Sequence, residues 1–172
     1  MKKIFKILLI AVLISGSSAF AQKTDYKFGH INSNELLAVM PERDSAGVAL
    51  QAYSQMLQQE MEAMQVEYQS KVNAYLEKQD AYSDLVKQSK ESELQEMQRR
   101  VQEFQQTAQQ DYQQKESELF QPIMEKAQAA IEKVAKANGF TYVFDLGAGG
   151  LLYFSAQSID LLPLVKAELG IE

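Results

Sequence analysis

Apolar positions in the middle of the chain recur in steps of three and four. They run Leu50, Tyr53, Leu57, Met61, Met64, Tyr68, Val72, Tyr75, Tyr82 and Val86, with Gln79 in the place expected before Tyr82. Such spacing returns to one face of an α-helix. Grouped as 3-4-4, the steps put an eleven-residue repeat through Leu50, Met61 and Val72, which favours straight or slightly right-handed packing. A second run has the same period: Leu94, Met97, Val101, Phe104, Ala108, Tyr112, then Leu119, Ile123, Ala127, Ile131 and Val134. Residues 87–92 between the runs are polar, lack a seam residue, and offer Ser89 or Ser92 as a helix cap. The pattern predicts a reversal there and two arms of about 45 residues, each about 65 Å long. An antiparallel helical hairpin over residues 43–120 is the reading, and one uninterrupted rod is the alternative.

The flanks change period. Tyr26 to Ile31 reads as a strand, and Asn32 or Ser33 can cap a short helix carrying Leu36, Leu37, Val39 and Met40 up to Pro41. Asn138-Gly139 has the form of a left-handed helix stop. Phe140 to Phe144 is a β-rich run, Leu146 to Gly150 a turn, and Leu151 to Phe154 its expected returning partner. Ser158 is placed to cap a last helix from Ile159 to Leu169. These pieces predict one small β-containing unit built from both chain ends, residues 22–42 plus 121–172. The expected class is α+β, mainly α, with the hairpin protruding from that unit. The strands and short helices of this unit come from about fifty residues, those of 22–42 and 139–172, which make a thin core, and the strands have edges to cover, so self-association is expected. Phe28, Ile31, Tyr142, Phe144, Leu152 and Phe154 are the candidate oligomerisation residues.

Composition sharpens this division. The stretch from Asp44 to Asn138 is dominated by Gln, Glu, Ala, Lys, Met and Tyr, with one Gly (Gly47) and one Pro (Pro122). At the other extreme, Lys2, Lys3 and Lys6 precede an apolar run from Ile7 to Ile14 and small residues ending at Ala21, the layout of a cleaved secretory signal over 1–21. A mature chain is expected to start near Gln22 and to reach the periplasm as a soluble protein. Of 17 basic residues, three lie in this leader, leaving 14 against 23 acids and a charge of -9. Nothing in so acidic a chain points to nucleic acid.

Catalytic chemistry has little to draw on. There is no Cys and no Trp, and His30 is the single His, which excludes disulfides, thiolate metal sites and paired-His motifs. Gly147, Gly149 and Gly150 lack the Lys and the following helix of a phosphate-binding loop, so a turn is the better reading. No catalytic residue, metal ligand or cofactor site is expected. The arms are more informative. Five of eight Tyr and four of seven Met lie in them. A seam built for rigidity prefers Leu and Ile, whereas Met adapts its shape and Tyr joins an apolar ring to a polar tip. Met56, Met61, Met64, Tyr68, Tyr75, Tyr82, Leu85 and Met97 are therefore candidates for binding varied greasy partners. Filling the hairpin seam is the alternative role for most of them.

This order of parts resembles the Skp family of periplasmic chaperones, also called OmpH-like, over the whole mature chain. The residues that carry the resemblance are Phe28 to Leu37, the junction at Pro41, the Gln-rich arms, Ala135 to Asp145, and Ser158 to Leu161. It implies a jellyfish-like homotrimer, joined through its strands, whose three hairpins surround a cavity. It further implies that unfolded outer-membrane proteins are held there without ATP, between the inner membrane and the outer-membrane assembly machinery. One property is not carried over. Known members have basic arms that attract lipopolysaccharide, whereas residues 55–120 here hold 13 acids and 7 bases. Client capture is therefore expected to rest on the Met and Tyr face, with little sensitivity to salt, and a structural envelope spacer binding one folded partner is the alternative function.

Overall fold

A computed structural model describes residues 26–171. The expected leader at 1–21 lies outside the described residues. Strand β1 (Phe28–Ile31) opens the fold, followed by helix α1 (Ser33–Val39). The Asn32 side chain caps α1, accepting from the backbone N–H of Asn34 at 3.1 Å and Glu35 at 3.4 Å. Met40 is extended, as a residue preceding proline must be, and Pro41 then opens α2 (Pro41–Lys78) at a position where its missing N–H costs nothing. A single 3₁₀ turn (Gln79–Ala81) and the extended pair Tyr82-Ser83 reverse the chain into α3 (Asp84–Ala137). At 38 and 54 residues, the two helices span about 57 and 80 Å.

The reversal therefore falls at residues 79–83 and not at 87–92, which is a correction to the sequence expectation. Residues 87–92 are helical because the seam there is closed by polar pairs in place of apolar ones. Tyr75 donates its hydroxyl to Glu91 Oε1 at 2.6 Å, and Lys71 pairs with Glu93. Nearer the body, Tyr53 donates to Asp111 Oδ2 at 3.0 Å and Lys126 pairs with Glu42. All four pairs have their sequence midpoint between residues 82 and 84, as one continuous antiparallel register demands.

Helix α3 ends in a full Schellman motif. Gly139 takes φ +68°, its N–H reaches Lys136 O at 3.2 Å, and Phe140 N–H reaches Ala135 O at 3.0 Å. Asn138 Nδ2 adds a bond to Val134 O at 2.8 Å. The chain then forms β2 (Tyr142–Asp145), and later β3 (Ile159–Asp160) and α4 (Leu162–Leu169). The sheet order is β2-β1-β3, and both pairings are parallel. No strand covers Leu151 to Phe154, so the expected β-hairpin is replaced by a parallel strand two residues long at 159–160. The reason is that β1 already presents one free edge, and Leu161 N–H bonds to His30 O at 2.9 Å across it. Ser158 does not cap the last helix; Asp160 Oδ1 accepts from Leu162 N–H at 2.9 Å instead.

One core ties these elements together. Ile123, Ala127, Ala130 and Val134, spaced four, three and four along α3, pack with Ile31, Leu36, Met40, Ala46, Leu161 and Val165. Gly29 is required where β1 crosses this core, because a Cβ would collide with Leu161 Cδ1 and sit 2.9 Å from Phe140 Cε1. Asp145 closes the far end of β2. Its carboxylate accepts from Ser33 N–H at 3.0 Å, Ser33 Oγ at 2.6 Å and Gly147 N–H at 2.8 Å. Burial works to raise its pKa, but those three bonds outweigh it and hold the carboxyl below its ordinary value.

Candidate functional site

Two surfaces stand apart from the core. The first is the outer face of the sheet. Strand alternation turns Gly29 and Ile31 inward and Phe28 and His30 outward, and the parallel register sets Tyr142 and Phe144 beside them. No helix of the described residues covers this face. Phe28 lies 6.0 Å from Tyr142 and 6.4 Å from Phe144, ring centroid to centroid, and Tyr26 continues the patch at 6.3 Å. The residues after Gly150 border it, with the Phe154 ring 4.2 Å from that of His30 and Ser158 Oγ 2.8 Å from His30 Nδ1. Between the sheet and these residues lies a cleft of about 760 Å³, lined by Tyr26, Phe28, Phe144, Tyr153 and Phe154 among others. Tyr26, Phe28, Tyr142, Phe144 and Phe154 remain 41–59% exposed.

Five of the six residues singled out for oligomerisation thus lie at this face or beside it, including the fully exposed Leu152. Ile31 does not. At 2% exposure it belongs to the protomer's own core, because the two-residue strand period puts it opposite His30. Tyr26, Tyr153 and His30 were missed, although the same alternation from Phe28 gives both Tyr26 and His30.

The second surface is the hairpin. Its seam follows the expected period, and this sorts the Met and Tyr candidates. Met97 is 2% exposed and Met61, Met64, Tyr68, Tyr75 and Tyr82 are half-buried, whereas Met56 and Leu85 are exposed. Tyr75 and Tyr82 stack at 6.3 Å near the tip. Val48, Val66 and Leu76 are exposed apolar residues of α2 that the seam period does not select. Most charged groups at the seam are already paired. Glu93 accepts from both Lys71 and Lys90, and these bonds bring its pKa down to about 2. Hydrogen bonding to Asp111 and Glu91 raises the phenol pKa of Tyr53 and Tyr75 respectively.

Among the described residues no group of three or more His, Asp or Glu could hold a metal ion, and no helix is long and apolar enough to cross a membrane. A long helical hairpin standing on a small unit with a three-stranded sheet defines a mainly helical α+β class of protein. The chain belongs to the OmpH-like family: the model of that family, described as outer membrane protein (OmpH-like), matches residues 27–169. This is the Skp family of chaperones. Among solved structures the fold is similar to that of a candidate outer membrane chaperone (OmpH-like) from Caulobacter crescentus. The two share 14% identity at a TM-score of 0.71, over 84% of this chain and 83% of that one. No curated protein matches the chain.

Proposed function

We propose that the protein is a periplasmic holdase that binds unfolded outer-membrane proteins between its helical arms, without ATP, and so keeps them from aggregating before membrane assembly. The observation that carries this reading is the pairing of a free-standing hairpin with an uncovered five-ring aromatic face at its base, in a member of the OmpH-like family. Exposed contiguous aromatic area marks an interface. Joining copies through it, as a homotrimer, would set several arms around a shared cavity. Exposed apolar residues on the arms, among them Met56 and Leu85, would then touch a client weakly at many points. Release needs only an acceptor, such as the outer-membrane assembly machinery, that folds the client more favourably.

A second reading, an envelope spacer docking one folded partner, draws support from the partial consumption of the Met and Tyr set by the seam. Light scattering separates the two. A urea-unfolded β-barrel protein diluted into buffer should aggregate less when this protein is present, and undiminished aggregation beside a stable oligomer would favour the spacer.

A further inference from the structure

One flank of the hairpin is not closed by its seam. Two depressions, of about 370 and 400 Å³, lie along α2 between Gly47 and Gln65. They share Ser54, Gln58 and Tyr112 in their linings, so they form one continuous groove. Its apolar floor comes from Leu50, Leu57, Met61, Ala108 and Tyr112. Ala108 occupies a seam position with a side chain too small to fill it. The rim is made of neutral amides, Gln51, Gln55, Gln58, Gln65 and Gln109. Glu62 is the single charged residue in the lining, on arms that carry 13 acids and 7 bases between residues 55 and 120.

We infer that this groove takes one extended segment of an unfolded polypeptide in which apolar and polar residues alternate, the pattern of a barrel strand. The inference rests on the holdase reading above. The eighteen helical rises from Gly47 to Gln65 span about 27 Å, which matches roughly eight residues of extended chain. An extended chain brings unpaired backbone N–H and C=O groups, and a glutamine amide offers both a donor and an acceptor to meet them without regard to sequence. A helical partner has satisfied its own backbone and would leave that rim idle. A charged partner would lose hydration against a nearly neutral lining. Alternate side chains of an extended segment point down to the floor and out to water, so the polar half stays solvated.

The test compares two pairs of substitutions that add the same charge. Ser54→Glu with Gln58→Glu places carboxylates in the groove. Ala49→Glu with Ala63→Glu places them on the exposed face of α2 that the 3.6-residue period turns away from it. Affinity for a urea-unfolded β-barrel protein is read by fluorescence titration, with circular dichroism and mass detection confirming fold and oligomer. The groove pair should bind about tenfold more weakly and the control pair within about twofold of the native protein. A photoreactive residue at Gln58 should cross-link to the client, and one at Ala63 should not. Equal affinity for both pairs, with the native protein still holding client, overturns the groove and leaves the holdase reading standing. No capture by the native protein sinks that reading and this inference with it. A groove pair that changes the oligomer's mass but not its client affinity makes the groove a contact between copies, which also overturns the inference.

Discussion

Phe28 sits at the centre of the uncovered sheet face, 44% exposed and within 6.4 Å of both Tyr142 and Phe144. If copies join through this face, Phe28→Ala removes its exposed area from the interface. A phenylalanine side chain presents about 200 Å², so the exposed share is about 90 Å². At about 25 cal/mol per Å² that is about 2 kcal/mol per protomer. Three protomers lose about 7 kcal/mol in the association equilibrium, or about five decades in its constant. Because the concentration at half-dissociation of a trimer follows the square root of that constant, it should rise about 300-fold. Sedimentation equilibrium across a dilution series measures this directly. Circular dichroism should show the strand and helices intact, since Phe28 is not part of the protomer's core. An unchanged dissociation midpoint would refute the assignment of this face, and a monomeric native protein would refute self-association.

Gly29→Ala should lower stability by about 1–3 kcal/mol in urea unfolding, because its methyl would press on the fully buried Leu161. Met97→Ala should cost about 2–5 kcal/mol in the hairpin, read by thermal melts, whereas Leu85→Ser should leave the melt unchanged, since one side chain is 2% and the other 77% exposed. The Glu93 carboxyl should titrate near 2 by NMR, and Lys71→Ala should move it back toward the ordinary carboxyl value of 4.5. With a folded pKa below the unfolded one, the Glu93 pairing stabilises the arm above about 4.5 and is lost as pH falls through about 2.

Much of the hairpin was legible because a helix seam writes itself into the sequence every three or four residues, and Leu50 to Tyr82 and Leu94 to Val134 keep that period in the structure. The tip was harder to place. Tyr75 and Lys71 fill the seam opposite Glu91 and Glu93 with hydrogen bonds and an ion pair, and a hydrophobic count reads such a stretch as a gap. Ser83-Asp84 carries the same cap signal as Ser89 and Ser92, so local chemistry could not choose between them. In the base, caps at Asn32 and Gly139 were readable because they are local. The pairing of β3 with β1 was not, since it depends on contacts 128 positions apart in sequence, such as His30 with Ser158. Of the candidate sites, the aromatic face followed from strand alternation, whereas the groove at Ala108 arises from a small residue's effect on the space between two helices, which no single helix pattern records.

The most direct measurement is capture followed by release. A urea-unfolded β-barrel protein is diluted into the protein, and the complex is isolated by size exclusion with mass detection and then mixed with lipid vesicles in the absence of nucleotide. A complex of three copies around one client lacking β-barrel structure, from which the client folds into the vesicles, is the expected result. A client that aggregates regardless, or that elutes free of the protein, would contradict the holdase reading.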